Sequence, residues 1–217
     1  MAIYLEHELQ NLKLKIFEMA DLAIEAISKS IASLKNSDVP LAEQVVREDT
    51  ALDKLEVDID DSCIKLLVTQ QPAASDLRLI LALLKINTDL ERIGDLATNI
   101  AKESIQFSGK QHIKPLVDIP RMAILAISMI KNSLQAITDK NVELAKRVIA
   151  DDKTMDELNI QIYRELFSYM AENARNITQS LALIMVSKAL ERIGDHATNL
   201  AERAIYYIEG VDIRHEE

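Results

Sequence analysis

The chain has 217 residues, enough for one large domain or two small ones with a real core. Hydrophobic residues make up 48% and charged residues 28%, which excludes a disordered chain and a membrane span. The net charge of -10, with no run of Lys or Arg, sets aside nucleic acid as a partner.

The N-terminus, Met1 to Glu8, carries acids where a secretory signal needs bases and an apolar run. A first helix is predicted over 3–36, ended by Asn36-Ser37-Asp38-Val39-Pro40. A second follows over 39–69 and contains Cys63, the lone cysteine, so no internal disulfide can form. Gln71-Pro72 then opens a third helix over 72–107, with Pro72 suited to a first helical position. Its Leu79 to Leu84 stretch is the longest strongly apolar run, far short of the ~20 residues a spanning helix needs. No direct membrane insertion is expected, and the expected location is cytoplasmic.

The longest interruption runs from Ser108-Gly109-Lys110 through Pro115 and Pro120. Three more helices are predicted over 119–138, 141–172 and 176–209, broken at Asp139-Lys140-Asn141 and at Asn173 to Asn176, with Gly210 as a C-cap. No segment alternates with period 2, as a half-buried strand would.

The two halves repeat. Leu90-Glu91-Arg92-Ile93-Gly94-Asp95-Leu96-Ala97-Thr98-Asn99-Ile100-Ala101 recurs from Leu190 to Ala201 with ten of twelve positions identical. The fold class is therefore all-α: six helices as two tandem three-helix bundles related by an internal repeat, spanning 1–110 and 116–217. Core stripes repeat too. Leu83, Ile86, Leu90, Ile93, Ala97 and Ile100 match Leu183, Val186, Leu190, Ile193, Ala197 and Leu200 at 3-4-3-4 spacing. Leu41, Val45, Leu52, Leu55, Ile59 and Cys63 on the second helix match Leu144, Val148, Met155, Leu158, Ile162 and Leu166 on the fifth.

Four acidic pairs stand at i, i+4: Asp49 with Asp53, Glu91 with Asp95, Asp152 with Asp156, and Glu191 with Asp195. That spacing stacks like charges on one helix face, which costs roughly 0.2–0.5 kcal/mol per pair. A solvated acidic face is the plain alternative. Against it, Glu91 and Glu191 each follow a core leucine, so they flank the seam where a neighbouring helix lies. Counting from turns centred near 70 and 174 also brings the pairs of adjacent helices roughly level, Asp49 with Glu91 in particular. Four carboxylates gathered in each half need a cation, or their pKa values must rise. Oxygen-only donors suit hard or borderline ions.

Asn99 and Asn199, eight residues after Glu91 and Glu191, are possible extra ligands. Arg92 and Arg192 are assigned to structural salt bridges, with acids of another helix as partners. Gly94 and Gly194 sit mid-helix at about 1 kcal/mol each against Ala, which points to close helix approach. Thr98 and Thr198 are taken as ordinary helix-surface residues. His7, His112, His196 and His215 share no ligand spacing and are expected to be solvated. No phosphate loop, nucleophile elbow or H-E-x-x-H is present, and no catalytic residue is assigned.

The repeated Glu-Arg-Ile-Gly-Asp-x-Ala-Thr-Asn-x-Ala stretch, with an acidic x-x-x-Asp on the preceding helix, resembles the PhoU family signature across the whole chain. Gln71-Pro72 with Ser75-Asp76-Leu77-Arg78 matches that family's opening of the third helix; Asn176-Ile177-Thr178 departs from it in the second half. The resemblance implies a homodimer. It implies metal ions (iron, zinc, manganese or magnesium) held by Asp49, Asp53, Glu91 and Asp95 in one half, and by Asp152, Asp156, Glu191 and Asp195 in the other. It also implies a negative regulator of phosphate uptake and of the phosphate-starvation response, not an enzyme. Its partners would be the ATPase subunit of the phosphate ABC transporter and the sensor histidine kinase of the phosphate two-component system. The rival expectation is a carboxylate-bridged metal enzyme, an oxidase or phosphatase. Ferritin-like centres of that kind use Glu-x-x-His pairs, and the chain has none.

Overall fold

The computed structural model describes residues 2–106 and 112–211. Within them the chain forms α1 (Ala2–Asn36), α2 (Val39–Gln70), α3 (Ala74–Gln106), α4 (Asp118–Asp139), α5 (Val142–Glu172), a 3-10 turn (Ala174–Asn176) and α6 (Ile177–Glu209). The described residues contain no strand. The expected break at Gly109, the 107 and 110 limits and His215 lie outside the described residues.

The helix ends are set by local chemistry. Asp38 caps α2 by accepting from the Leu41 backbone N–H at 3.1 Å, with Pro40 in the first turn where no donor is missed. Lys140 ends α4 in the left-handed region, and Asn141 starts α5 by accepting from Leu144 N–H at 3.0 Å. Gly210 closes α6 at φ 76, its N–H donating to the Tyr206 carbonyl at 2.9 Å, as its C-cap position foretold. Pro72 does not open α3. Gln71 turns left-handed at φ 46, residues 71–73 stay outside both helices, and α3 begins at Ala74.

Each helix packs on the other two of its bundle. The bundles join where α3 lies against α6 and α1 against α4. All twelve stripe residues of α3 and α6 are buried. On α2 and α5 the stripes are buried except at Leu41, Leu55 and Leu144, which are half-covered. One continuous apolar core runs through both bundles. Burying such side chains supplies roughly 1.5–3 kcal/mol each for the larger ones.

The segment between bundles is tied down. His112, expected in solvent, is half-buried with Nε2 2.8 Å from the Leu34 carbonyl oxygen. Ile113 N–H donates to Gln179 at 2.9 Å, and the buried Lys114 ammonium pairs with Glu165. The Asp76-Leu77-Arg78 departure also has a place in the fold: the half-buried Arg78 guanidinium lies against Gly210 at the C-terminal end of α6. A cation there complements the helix dipole.

Candidate functional site

The acidic pairs flank a tight contact between two helices of each bundle. In the first half, a Cβ added at Gly94 would stand 2.8 Å from Leu52, the residue just before Asp53. In the second, a Cβ at Gly194 would stand 3.1 Å from Met155, between Asp152 and Asp156, and 3.6 Å from Asp152 Oδ1. The mid-helix glycines therefore let α2 approach α3, and α5 approach α6, with a carboxylate pair on either side of each contact.

In the first half the register differs from the count made on the sequence, whereas in the second the Met155–Gly194 contact centres where the count put it. With Leu52 against Gly94, Asp49 comes level with Thr98, and Glu91 with the stretch around Glu56. The non-helical turn at 71–73 moves the hairpin's centre toward α3, which slides the two helices past the expected pairing. The same slide brings Glu56 into the first group, an acid the sequence reading passed over. Asp49, Asp53 and Glu56 stand on successive turns of α2, and that i, i+4, i+7 spacing was available as a signal.

The electrostatics describe two groups of interacting acids. Burial, then the neighbouring Asp53 and Asp95 charges, push the Asp49 carboxyl above its ordinary range. Glu91 is raised by burial and by Asp95, with Glu56 and Asp53 adding to it. Glu56 is raised by burial and by Asp60 and Asp53. In the second half, burial and the Asp195, Asp156 and Glu191 charges push Asp152 up to about 6. Asp195 is raised by burial and by Glu191. These shifts are what like charges sharing a partly desolvated site produce. Glu91 and Glu191 keep only 16% and 12% side-chain exposure, which argues against a freely solvated acidic face.

Several polar groups here are covered. Thr98, expected on the surface, is 3% exposed, and its hydroxyl faces Asp49 closely enough to oppose that group's rise. Thr198 repeats this beside Asp152, half-buried. Asp152 Oδ1 is buried without a hydrogen-bond partner, whereas the buried Glu91 Oε2 stands 3.2 Å from Arg92 Nε. Mutually repelling, partly covered carboxylates, with glycine opening the space between them, suit an oxygen-ligated cation in chemistry. As the side chains stand, no three His, Cys, Asp or Glu groups among the described residues are gathered closely enough to hold one.

The remaining candidates go elsewhere. Arg92 pairs within its own helix, with Glu91 at 3.2 Å and Asp95 at 3.3 Å, rather than across to another. Lys188 holds Glu191 at 2.5 and 2.6 Å. His196, expected in solvent, packs between the bundles with Nδ1 2.8 Å from Asp89 Oδ1, and Asn199 donates to the same oxygen at 3.1 Å. Asn199 is thus engaged away from the carboxylates. Asn99 is exposed on the groove between α3 and α6.

The PhoU domain matches this chain twice, over residues 16–104 and 119–204, so each match carries one crossing with its acids. The chain belongs to the PhoU family. The phosphate-specific transport system accessory protein PhoU homologue of Aquifex aeolicus is 42% identical over 96% of this chain and 95% of its own length. Escherichia coli PhoU is 33% identical over 96% of this chain and 86% of its own. The crystal structure of PhoU from Pseudomonas aeruginosa superposes with a TM-score of 0.90 at 35% identity, covering 95% of this chain and 99% of that one. The family's two-bundle architecture is the one described above.

Proposed function

We propose that the protein is a non-enzymatic regulator of phosphate uptake that carries a metal ion in each bundle and works as an adaptor in the cytoplasm. The regulatory part rests on membership of the family, whose relatives are named as accessory or regulatory proteins of phosphate transport. Among the described residues no helix is long and apolar enough to cross a membrane. The proposed partners are the transporter's ATPase subunit, the sensor histidine kinase that governs the phosphate-starvation response, and a second copy of the chain.

The observation that supports metal loading most strongly is the recurrence of one arrangement in both repeats: an acidic pair on each of two helices, a glycine at a tight contact between them, and a threonine hydroxyl facing the first aspartate. Asp49, Asp53, Glu91 and Asp95 would hold the first ion, and Asp152, Asp156, Glu191 and Asp195 the second. Bound there, a cation of the iron, zinc, manganese or magnesium kind would supply positive charge that offsets the mutual repulsion of the acids. The side chains would have to swing together to reach it, because they are not gathered in its absence.

Elemental analysis of protein purified without a tag or chelator tests the metal, with at least one ion per bundle expected. Protein that stays metal-free after soaking in divalent salts would overturn this part. Binding of the loaded protein to the isolated ATPase subunit or kinase tests the adaptor role, and failure to bind either would contradict it.

A further inference from the structure

The α3–α6 junction is built around an approximate twofold axis, because the repeat places Asp89 opposite His196 and Asn199, and Ala189 opposite Leu96 and Asn99. On the first side the Asp89 carboxylate fills the junction and accepts hydrogen bonds. On the second side alanine replaces the aspartate and leucine the histidine. What remains is a groove of about 350 Å³, within the size range of small-molecule sites. Leu96, Ile100, Val186 and Ala189, all buried, form its floor. The Asn99 amide, whose counterpart Asn199 binds the aspartate, makes no hydrogen bond within the described residues.

Lys102, Lys188 and Arg192 line this groove. Three cations round one concavity are out of keeping with a chain of net charge -10. Glu103 is the one acid on the lining, against three cations. Lys188 also serves Glu191; Lys102 acts on Asp49 only at longer range, and neither it nor Arg192 has an ion pair within 4.0 Å among the described residues. A cleft walled by apolar side chains focuses such charge on whatever enters it.

We propose that this groove binds a small oxyanion, a carboxylate or a phosphate, in the place that the Asp89 carboxylate fills on the opposite side. The ligand would accept from the Asn99 amide and pair with Lys102 and Arg192, as the aspartate accepts from Asn199 and stands against His196. The groove adjoins the acidic pairs, since Lys188 holds Glu191 and Lys102 is near enough to Asp49 to act on its charge, but the proposed anion contacts do not require metal on those acids.

Calorimetric titration of the full chain, freed of metal by chelation, with succinate and with inorganic phosphate at low salt provides the test. Saturable one-to-one binding of at least one probe is expected, and the tighter of the two names the source of the anion. Lys102→Glu and Arg192→Glu, both at exposed positions, should each weaken it by about tenfold or more. Ala189→Asp, which supplies the missing carboxylate in cis, should abolish it. No binding of either probe in the millimolar range, or affinity untouched by both charge reversals, would overturn the proposal, even if Ala189→Asp fails to fold. Metal content in the unchelated protein is read separately, so failure here leaves the metal reading standing, and the reverse.

Discussion

The two bundles carry the same acidic motif and balance it differently. In the first, Glu56 adds a fifth carboxylate, while Arg92 reaches both Glu91 and Asp95. In the second, the position equivalent to Glu56 is Asn159, buried and turned inward to accept from Ser187 at 2.6 Å. Its cation, Lys188, satisfies Glu191 alone. Asp152 is left facing Asp156, Glu191 and Asp195, and its carboxyl rises to about 6. One repeat thus carries an extra acid and a shared counter-cation, and the other has one acid fewer but holds a carboxylate opposed to ionisation. Duplicated helices preserve the crossing, because glycine and the core stripe fix it, and diverge in the side chains around it.

The crossing itself gives the largest expected contrast. Gly94→Leu must displace the buried Leu52, already 2.8 Å from where a Cβ would stand, and should cost about 1–3 kcal/mol or more. Gly194→Leu meets Met155, a flexible side chain starting at 3.1 Å, and should cost less. Thermal unfolding ranks the two, and an unchanged midpoint for Gly94→Leu would show that the contact is not tight.

A smaller effect is expected at the junction between bundles. Asp89→Ala leaves His196 and Asn199 without their acceptor in a largely covered site and should cost about 1–2 kcal/mol in urea unfolding. A variant as stable as the parent would mean that this pair contributes nothing to joining the halves.

The smallest expected effect is specific to the second bundle and shows in pH. Asp152 holds its proton up to about 6 when folded and to 3.8 otherwise. Between those values the folded chain binds more protons, so this group's contribution to stability falls as pH rises through the window and stays low above it. Asp152→Asn should therefore raise the melting temperature of metal-free protein at neutral pH and lose that advantage near pH 4. A gain equal at both pH values would contradict the assignment.

Much of this was legible in the sequence. The sparse glycines and prolines marked the six helices to within a few residues, and the 3-4 stripes of α3 and α6 named buried positions without error. The repeat also gave the reason for Gly94 and Gly194. What could not be read was the register of the first bundle, since three non-helical residues at Gln71–Ala73 slide one helix along another without changing either helix's own pattern. Glu56 and Thr98 were missed for that reason: each matters only through what stands opposite. His196 was missed because its partner, Asp89, lies in the other repeat, and no spacing within one motif reports a contact between two.

The most direct test of the paired metal sites is the metal content of three variants beside the parent: Glu91→Ala with Asp95→Ala, Glu191→Ala with Asp195→Ala, and all four together. Independent sites should give a loss of about half in each double variant and a loss of essentially all metal in the quadruple. Full stoichiometry in the quadruple variant, with the protein folded, would contradict the assignment of these carboxylates as ligands.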